Sequence, residues 1–165
     1  MSKDETLKDA MATYHKTVET ERCKIIDVQR PRLWKTALMF YKSARKDELL
    51  RKLNVMFEGY EDAVDAGALR LEFFGDLMRE VNMNLFEGKE DRRVPIYSWE
   101  NVYLIKVAGI MVAHSLLHGG PGIPCLAPYV YKYIVSGERE HAASFVISED
   151  LPKTPQTETL TKFLN

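Results

Sequence analysis

His114 and His118 sit four residues apart in a run of apolar residues at helical period. On a helix that spacing turns both imidazoles to one side, where two nitrogens can bind one metal ion. No Glu follows His114 as in a zinc-protease helix, and no third ligand is evident, so both are expected to be structural. Cys125, between Pro124 and Leu126, has the side chain of a nucleophile and lies near His118 in sequence. No orienting third group accompanies it, and a buried thiol is expected. Asp62, Asp65 and Glu72 gather carboxylates around the start of a helical pattern. Paired carboxylates can exchange protons with a substrate, but acids at this place cap free N–H groups and oppose the helix dipole. That capping role is the expectation. The run Gly119–Gly122 has the glycines of a phosphate loop, yet it follows a helix, contains Pro121 and lacks a following Lys-Ser/Thr. It reads as a stop and turn. Lys42, Arg45, Lys46, Arg51 and Lys52 cluster near a helix C-terminus, where cations suit the dipole and a solvated helix end is expected. No catalytic, cofactor-binding or metal site is assigned.

The elements that must hold these residues follow from periodicity. Residues 1–21 carry Leu7, Met11, Tyr14 and Val18 in a loose helical pattern weakened by four threonines, and read as one amphipathic helix or a leader. Residues 23–28 read as a strand ended by Pro31, and residues 32–50 as one helix with a wide apolar stripe. Residues 53–57 read as a half-buried strand. Asp65-Ala66-Gly67-Ala68 reads as a turn into a helix with Leu69, Phe73, Leu77 and Val81 on one face and Phe74 and Met78 beside them. Residues 82–84 end it. A hairpin or long polar loop follows, with Leu85-Phe86 and residues 94–97 on either side and Lys89, Arg92 and Arg93 solvated. Ser98 is the expected N-cap of a helix reaching Leu117. That helix is apolar on most sides and so expected to be central and buried, with Ala108 and Gly109 allowing close approach. Residues 126–135 form a short aromatic helix ended by Gly137, and residues 138–147 are loop. Residues 148–152 cap a last weak helix near 157–164. The fold class is mainly α, of α+β type, with five or six helices and three or four short strands.

The chain has 165 residues, 45% hydrophobic and 28% charged, enough for one good-sized core. A net charge of −1 gives no global attraction to nucleic acid or an anionic membrane. The longest uncharged apolar run, residues 107–113, is far short of the roughly 20 residues that span a bilayer. The first residues are polar and contain no apolar signal core. Cys23 and Cys125, the only cysteines, fit no zinc or redox spacing. These features imply a soluble protein of the cytoplasm or nucleus.

Several stretches together resemble the N-lobe of HECT-type ubiquitin ligases. The family opens a long helix with Asp-x-Gly-Gly-x-x-Arg-Glu-Phe/Trp-Phe. Here Val64-Asp65-Ala66-Gly67-Ala68-Leu69-Arg70-Leu71-Glu72-Phe73-Phe74 keeps Asp65, Gly67, Glu72, Phe73 and Phe74, and departs at Ala68 and Leu71. Leu85-Phe86-Glu87 resembles the family's Gly-Leu-Phe strand start, and residues 103–115 a diverged form of its next helix. Leu116 and His118-Gly119-Gly120-Pro121-Gly122 are similar to a divergent branch typified by the G2/M phase-specific HECT ligase. Residues 126–137 and Glu149-Asp150-Leu151 resemble the segments that follow, so the likeness covers about residues 24–165.

The resemblance implies a partial HECT domain over residues 22–165, its large N-lobe subdomain. A HECT ligase takes ubiquitin from an E2 onto a cysteine and passes it to a substrate lysine. Its E2-docking subdomain follows the Glu-Asp-Leu segment, and its catalytic Cys lies in a lobe beyond that. Nothing in the 165 residues matches either part, and neither Cys23 nor Cys125 sits in a Thr-Cys motif. The chain alone is therefore expected to be a non-catalytic scaffold without cofactor or metal. E2 and ubiquitin would be partners through the other lobes of a parent protein, with no nucleic-acid or membrane partner. Some family members hold a second ubiquitin near the Leu-Phe strand, and Leu85 and Phe86 are the positions that match. Two alternatives stand beside this reading. One is a stand-alone, non-catalytic domain that binds a protein or ubiquitin; the other is an unrelated helical domain using Cys125 or His114/His118 as a small-molecule site.

Overall fold

A computed structural model describes residues 3–59 and 66–150. The fold is mainly α, of α+β type, as the sequence implies. Two compact units divide it: Met1–Leu85 with Tyr97–Pro124, and Phe86–Ile96 with Cys125–Asn165.

The first unit begins with α1 (Lys3–His15), on which Met11 is half-buried and Tyr14 exposed. Strand β1 (Glu19–Val28) starts earlier than residue 23, because the Glu19 N–H already bonds the Leu50 carbonyl at 2.7 Å. The boundary expected at residue 22 thus falls within a strand. A 3-10 turn (Arg30–Arg32) leads into α2 (Leu33–Ser43). The single helix expected over residues 32–50 is broken here. Ser43 Oγ turns back to the carbonyls of Met39 and Phe40, Ala44 is extended, and Arg45 starts a separate turn, α3 (Lys46–Leu49). Glu48 fixes the break: its carboxylate accepts the Arg45 N–H at 3.0 Å and the Lys24 ammonium at 2.6 Å. These bonds, the backbone one first, hold its pKa down to about 2.

Strand β2 (Arg51–Phe57) then pairs with β1 in parallel, from Cys23↔Lys52 to Val28↔Phe57. A parallel pair needs a crossover, which α2 and α3 supply. Alternation puts Ile26, Val28, Leu53, Val55 and Phe57 in the core, while Ile25 and Met56 face water. Helix α4 (Ala66–Leu85) covers that face with Phe73, Phe74, Leu77, Met78 and Val81, all essentially unexposed. Burying each such side chain is worth about 1.5–3 kcal/mol. Ala66, Gly67 and Ala68 already belong to this helix rather than to a turn, and it runs through residues 82–84 to Leu85. Asn84 does not break it because its amide bonds back to the Glu80 carbonyl at 2.8 Å.

Helix α5 (Trp99–Leu117) is capped as expected, Ser98 Oγ accepting the Asn101 N–H at 3.1 Å. It packs on α2 and α4 through Val107, Ala108, Met111, His114 and Ser115. It is not buried all round: Trp99, Val102, Tyr103, Ile110 and Leu116 are exposed. Ala108 meets the core, but Gly109 faces open space. The helix stops at His118, and Gly119 takes a left-handed φ of 77°.

In the second unit β3 (Phe86–Lys89) and β4 (Arg92–Pro95) form an antiparallel hairpin. Arg93 also pairs alongside Leu126, its N–H bonding the Cys125 carbonyl at 2.7 Å. Helix α6 (Pro128–Ser136) ends at Gly137, φ 70°, as expected. Helix α7 (Arg139–Ala143) replaces part of the loop expected over residues 138–147 and packs on α6. A 3-10 turn (Ser148–Asp150) closes the described chain, and the weak helix near 157–164 lies outside the described residues. Seven α-helices and four strands are thus described, one helix more than the upper expectation.

Candidate functional site

His114 and His118 face one another from successive turns at the C-terminal end of α5, ring centroids 4.5 Å apart and edge to face. Their surroundings are aromatic rather than coordinating. Tyr41 of α2 lies 2.7 Å from His114 Nδ1, and His118 stacks on Phe74 of α4 at 6.0 Å. Burial raises the Tyr41 pKa and keeps its phenol neutral, so the hydroxyl and Nδ1 share a single proton between them. His114 Nε2 is buried without a hydrogen-bond partner. Burial first, and the adjacent His118 second, push the His114 pKa down to about 3. The Leu49 carbonyl pulls the other way without forming a hydrogen bond to Nε2. His118 is lowered too, chiefly by burial, although its Nε2 reaches the Leu49 carbonyl at 3.4 Å. Among the described residues no group of three or more His, Cys, Asp or Glu is arranged to hold a metal ion. The pair is a neutral core element, as its sequence context implies.

Gly119–Gly122 packs on that core instead of cradling an anion. Ser115 Oγ donates to the Pro121 carbonyl at 2.7 Å, and a Cβ on Gly120 would meet Ser115 Oγ at 2.5 Å and Phe74 Cβ at 2.8 Å. Of the three carboxylates, Glu72 alone lies within the described chain. Glu72 pairs with Arg30 at 2.6 Å on the surface, and Asp62 and Asp65 lie outside the described residues. Within the basic cluster the two arginines are ion-paired, Arg45 with Asp47 and Glu48, and Arg51 with Asp47 and Glu19.

Three features differ from expectation. Cys125 is exposed, not buried, and is the one non-glycine residue at positive φ (63°) among those described. The backbone turns there so that its carbonyl meets the Arg93 N–H, and this turn leaves the side chain in water. Arg92 and Arg93 are not solvated loop. Arg92 pairs with Asp150, and Arg93 reaches the carbonyls of Phe86 at 2.7 Å and Gly88 at 3.1 Å. Leu85 and Phe86, the positions that match a second-ubiquitin face, are buried, at 1% and 6% exposure.

Sequence reasoning passed over the exposed aromatics Tyr97 and Trp99, which flank the N-cap serine at 81% and 85% exposure. A usable signal was present, because aromatics that bracket a cap lie before the buried stripe begins. By length and composition alone, α5 is the one helix among the described residues apolar enough to cross a membrane. In the fold it instead buries His114 and Ser115 against its neighbours and keeps Lys106 exposed. No protein-family model matches the sequence, and no curated protein is significantly similar to it.

Proposed function

We propose that these residues form the N-lobe scaffold of a HECT-type ubiquitin ligase or of a truncated relative, without catalytic activity of their own. The observation that carries this reading is the unit in which β2 is followed by α4, with Phe73 and Phe74 both at 0% exposure. These are the phenylalanines of the resembling signature, and they pin the helix onto the sheet. Glu72 beside them faces outward to Arg30. Such residues build a lobe and do not turn over a substrate. Both cysteines are exposed free thiols, and neither sits in a Thr-Cys motif.

The test is a chimera. Residues 22–165 replace the matching N-lobe segment of an active HECT ligase, and thioester formation with charged E2 is followed on gels. The expected result is a thioester on the host's catalytic Cys and no dithiothreitol-sensitive adduct on the 165-residue chain alone. A folded chimera that cannot be charged, or a ubiquitin adduct on Cys125, overturns the proposal. A second reading, a stand-alone interaction domain in the cytoplasm or nucleus, is favoured by exposed Tyr97 and Trp99. Ubiquitin titrated to millimolar concentration against labelled chain separates it from a pure scaffold.

A further inference from the structure

We propose that the solvent side of α5 docks an acidic amphipathic helix from another protein. Trp99, Val102, Tyr103 and Ile110 lie on one stripe at helical spacing and are 85%, 44%, 53% and 42% exposed. A stripe led by Trp and Tyr has the composition of interface anchors, which gain by leaving water. At its C-terminal edge Gly109 has open space where a side chain would project, so a partner backbone can come close there.

Charge selects the partner. Lys106 lies within the stripe, exposed, and has no ion pair among the described residues. Lys42 of α2 borders it, its ammonium 5.6 Å from the Tyr103 ring centroid and likewise without a carboxylate. Two unpaired lysines on an apolar stripe are complementary to a helix with apolar residues at i, i+3, i+4 and i+7 flanked by Glu or Asp. A second copy would set Lys106 into a stripe that already carries Lys106, and like charges there are unfavourable. A bilayer core would have to take up the same ammonium. The surface does not depend on the ligase-lobe reading.

The experiment titrates the full chain with two synthetic helical peptides that share one apolar face, flanked by Glu in one and Lys in the other. Tryptophan emission, read in the Trp34→Phe chain so that Trp99 is the sole source, reports docking. The Glu peptide is expected to shift the emission to the blue and to bind about tenfold tighter than the Lys peptide, the worth of one close charge pair. Lys106→Glu should reverse that order without changing the fold, since the side chain is in water. Equal affinity for the two peptides, no binding of the Glu peptide, or no effect of Lys106→Glu overturns the proposal. So does self-association abolished by Trp99→Ser, which assigns the face to a second copy. Preferential binding to phosphatidylserine vesicles assigns it to a bilayer and overturns it as well.

Discussion

Arg92 and Asp150 meet at two points, Nε to Oδ1 at 2.7 Å and Nη2 to Oδ2 at 2.6 Å, with the Asp150 side chain 1% exposed. Asp150 Oδ2 also accepts the Ile147 N–H at 3.0 Å. The pair therefore ties the β3–β4 hairpin to the Ser148–Asp150 turn. Arg92 first, against the cost of burial, holds the Asp150 carboxyl below its ordinary range. Arg92→Lys keeps the charge but loses the planar fork, and Arg92→Ala leaves a buried carboxylate alone. Amide hydrogen exchange at Ile147 and Val94 should quicken in the order wild type, Lys, Ala. Full protection in the Lys variant would mean that the fork geometry is dispensable.

Tyr41→Phe removes a single buried hydroxyl and strands His114 Nδ1. Urea unfolding should show a loss of about 1–3 kcal/mol, the cost of a buried polar group left unpaired. His114→Leu removes the other partner and leaves Tyr41 stranded instead. The double variant should lose less than the sum of the two, because it leaves no orphan behind. Additive losses would show that the two groups do not act as a pair.

The same cluster sets an acid limit. The unfolded chain protonates its histidines near pH 6.5, whereas folded His114 stays neutral down to about 3. Between those values the unfolded state holds the extra proton, so stability falls as pH falls, by about 1.4 kcal/mol per pH unit for one imidazole. Below about pH 3 this contribution levels off. The groups facing the pair are Tyr41, the Leu49 carbonyl, Arg70 and His15, and no carboxylate among them stabilises an imidazolium. Denaturation between pH 7 and 5 should therefore show a slope that His114→Leu flattens. The Asp150 carboxyl moves stability only below its ordinary value near 4, so it does not contribute between pH 7 and 5. An unchanged slope in His114→Leu would place the protonation elsewhere.

Local signals were read correctly where the cause is local. Ser98 caps α5 and Gly137 ends α6 because each does its work within four residues. The buried face of α4 followed from its period. The break at Ala44 was not legible, because Glu48 secures it with Lys24, which comes from β1. Arg92 looked solvated among acids because its partner is 58 positions away. The helical spacing of His114 and His118 is legible in the sequence, but Tyr41, 73 positions from His114, cannot be singled out from an apolar stripe. Composition reports how much burial a helix wants and not what the chain supplies. That is why α5 appeared central and yet has one side in water.

Cys125 holds a left-handed backbone that most side chains disfavour by about 1–2 kcal/mol. Cys125→Gly relieves that strain and loses an exposed thiol, at the cost of a more flexible unfolded chain. Stability by thermal melting should hold or rise by up to about 1 kcal/mol. The chimera described above should charge as well with Gly as with Cys at this position. A loss of charging without a loss of stability would make the thiol functional.

Gly120 and Gly109 give the last contrast: one follows α5 and the other lies within it, and only Gly120 is crowded. A methyl on Gly120 would collide with Ser115 Oγ and Phe74 Cβ, and both are pinned: Ser115 by its bond to Pro121, and Phe74 by complete burial. Neither can retreat without opening the core at α4, so Gly120→Ala should cost about 1–3 kcal/mol. Gly109 is helical with nothing within 4 Å, so Gly109→Ala should gain about 0.5–1 kcal/mol from helix propensity alone. Paired urea titrations decide the matter. If Gly120→Ala proves neutral, the turn after α5 is not packed against Phe74 in solution, and the stop at Gly119–Gly122 would owe its place to chain conformation alone.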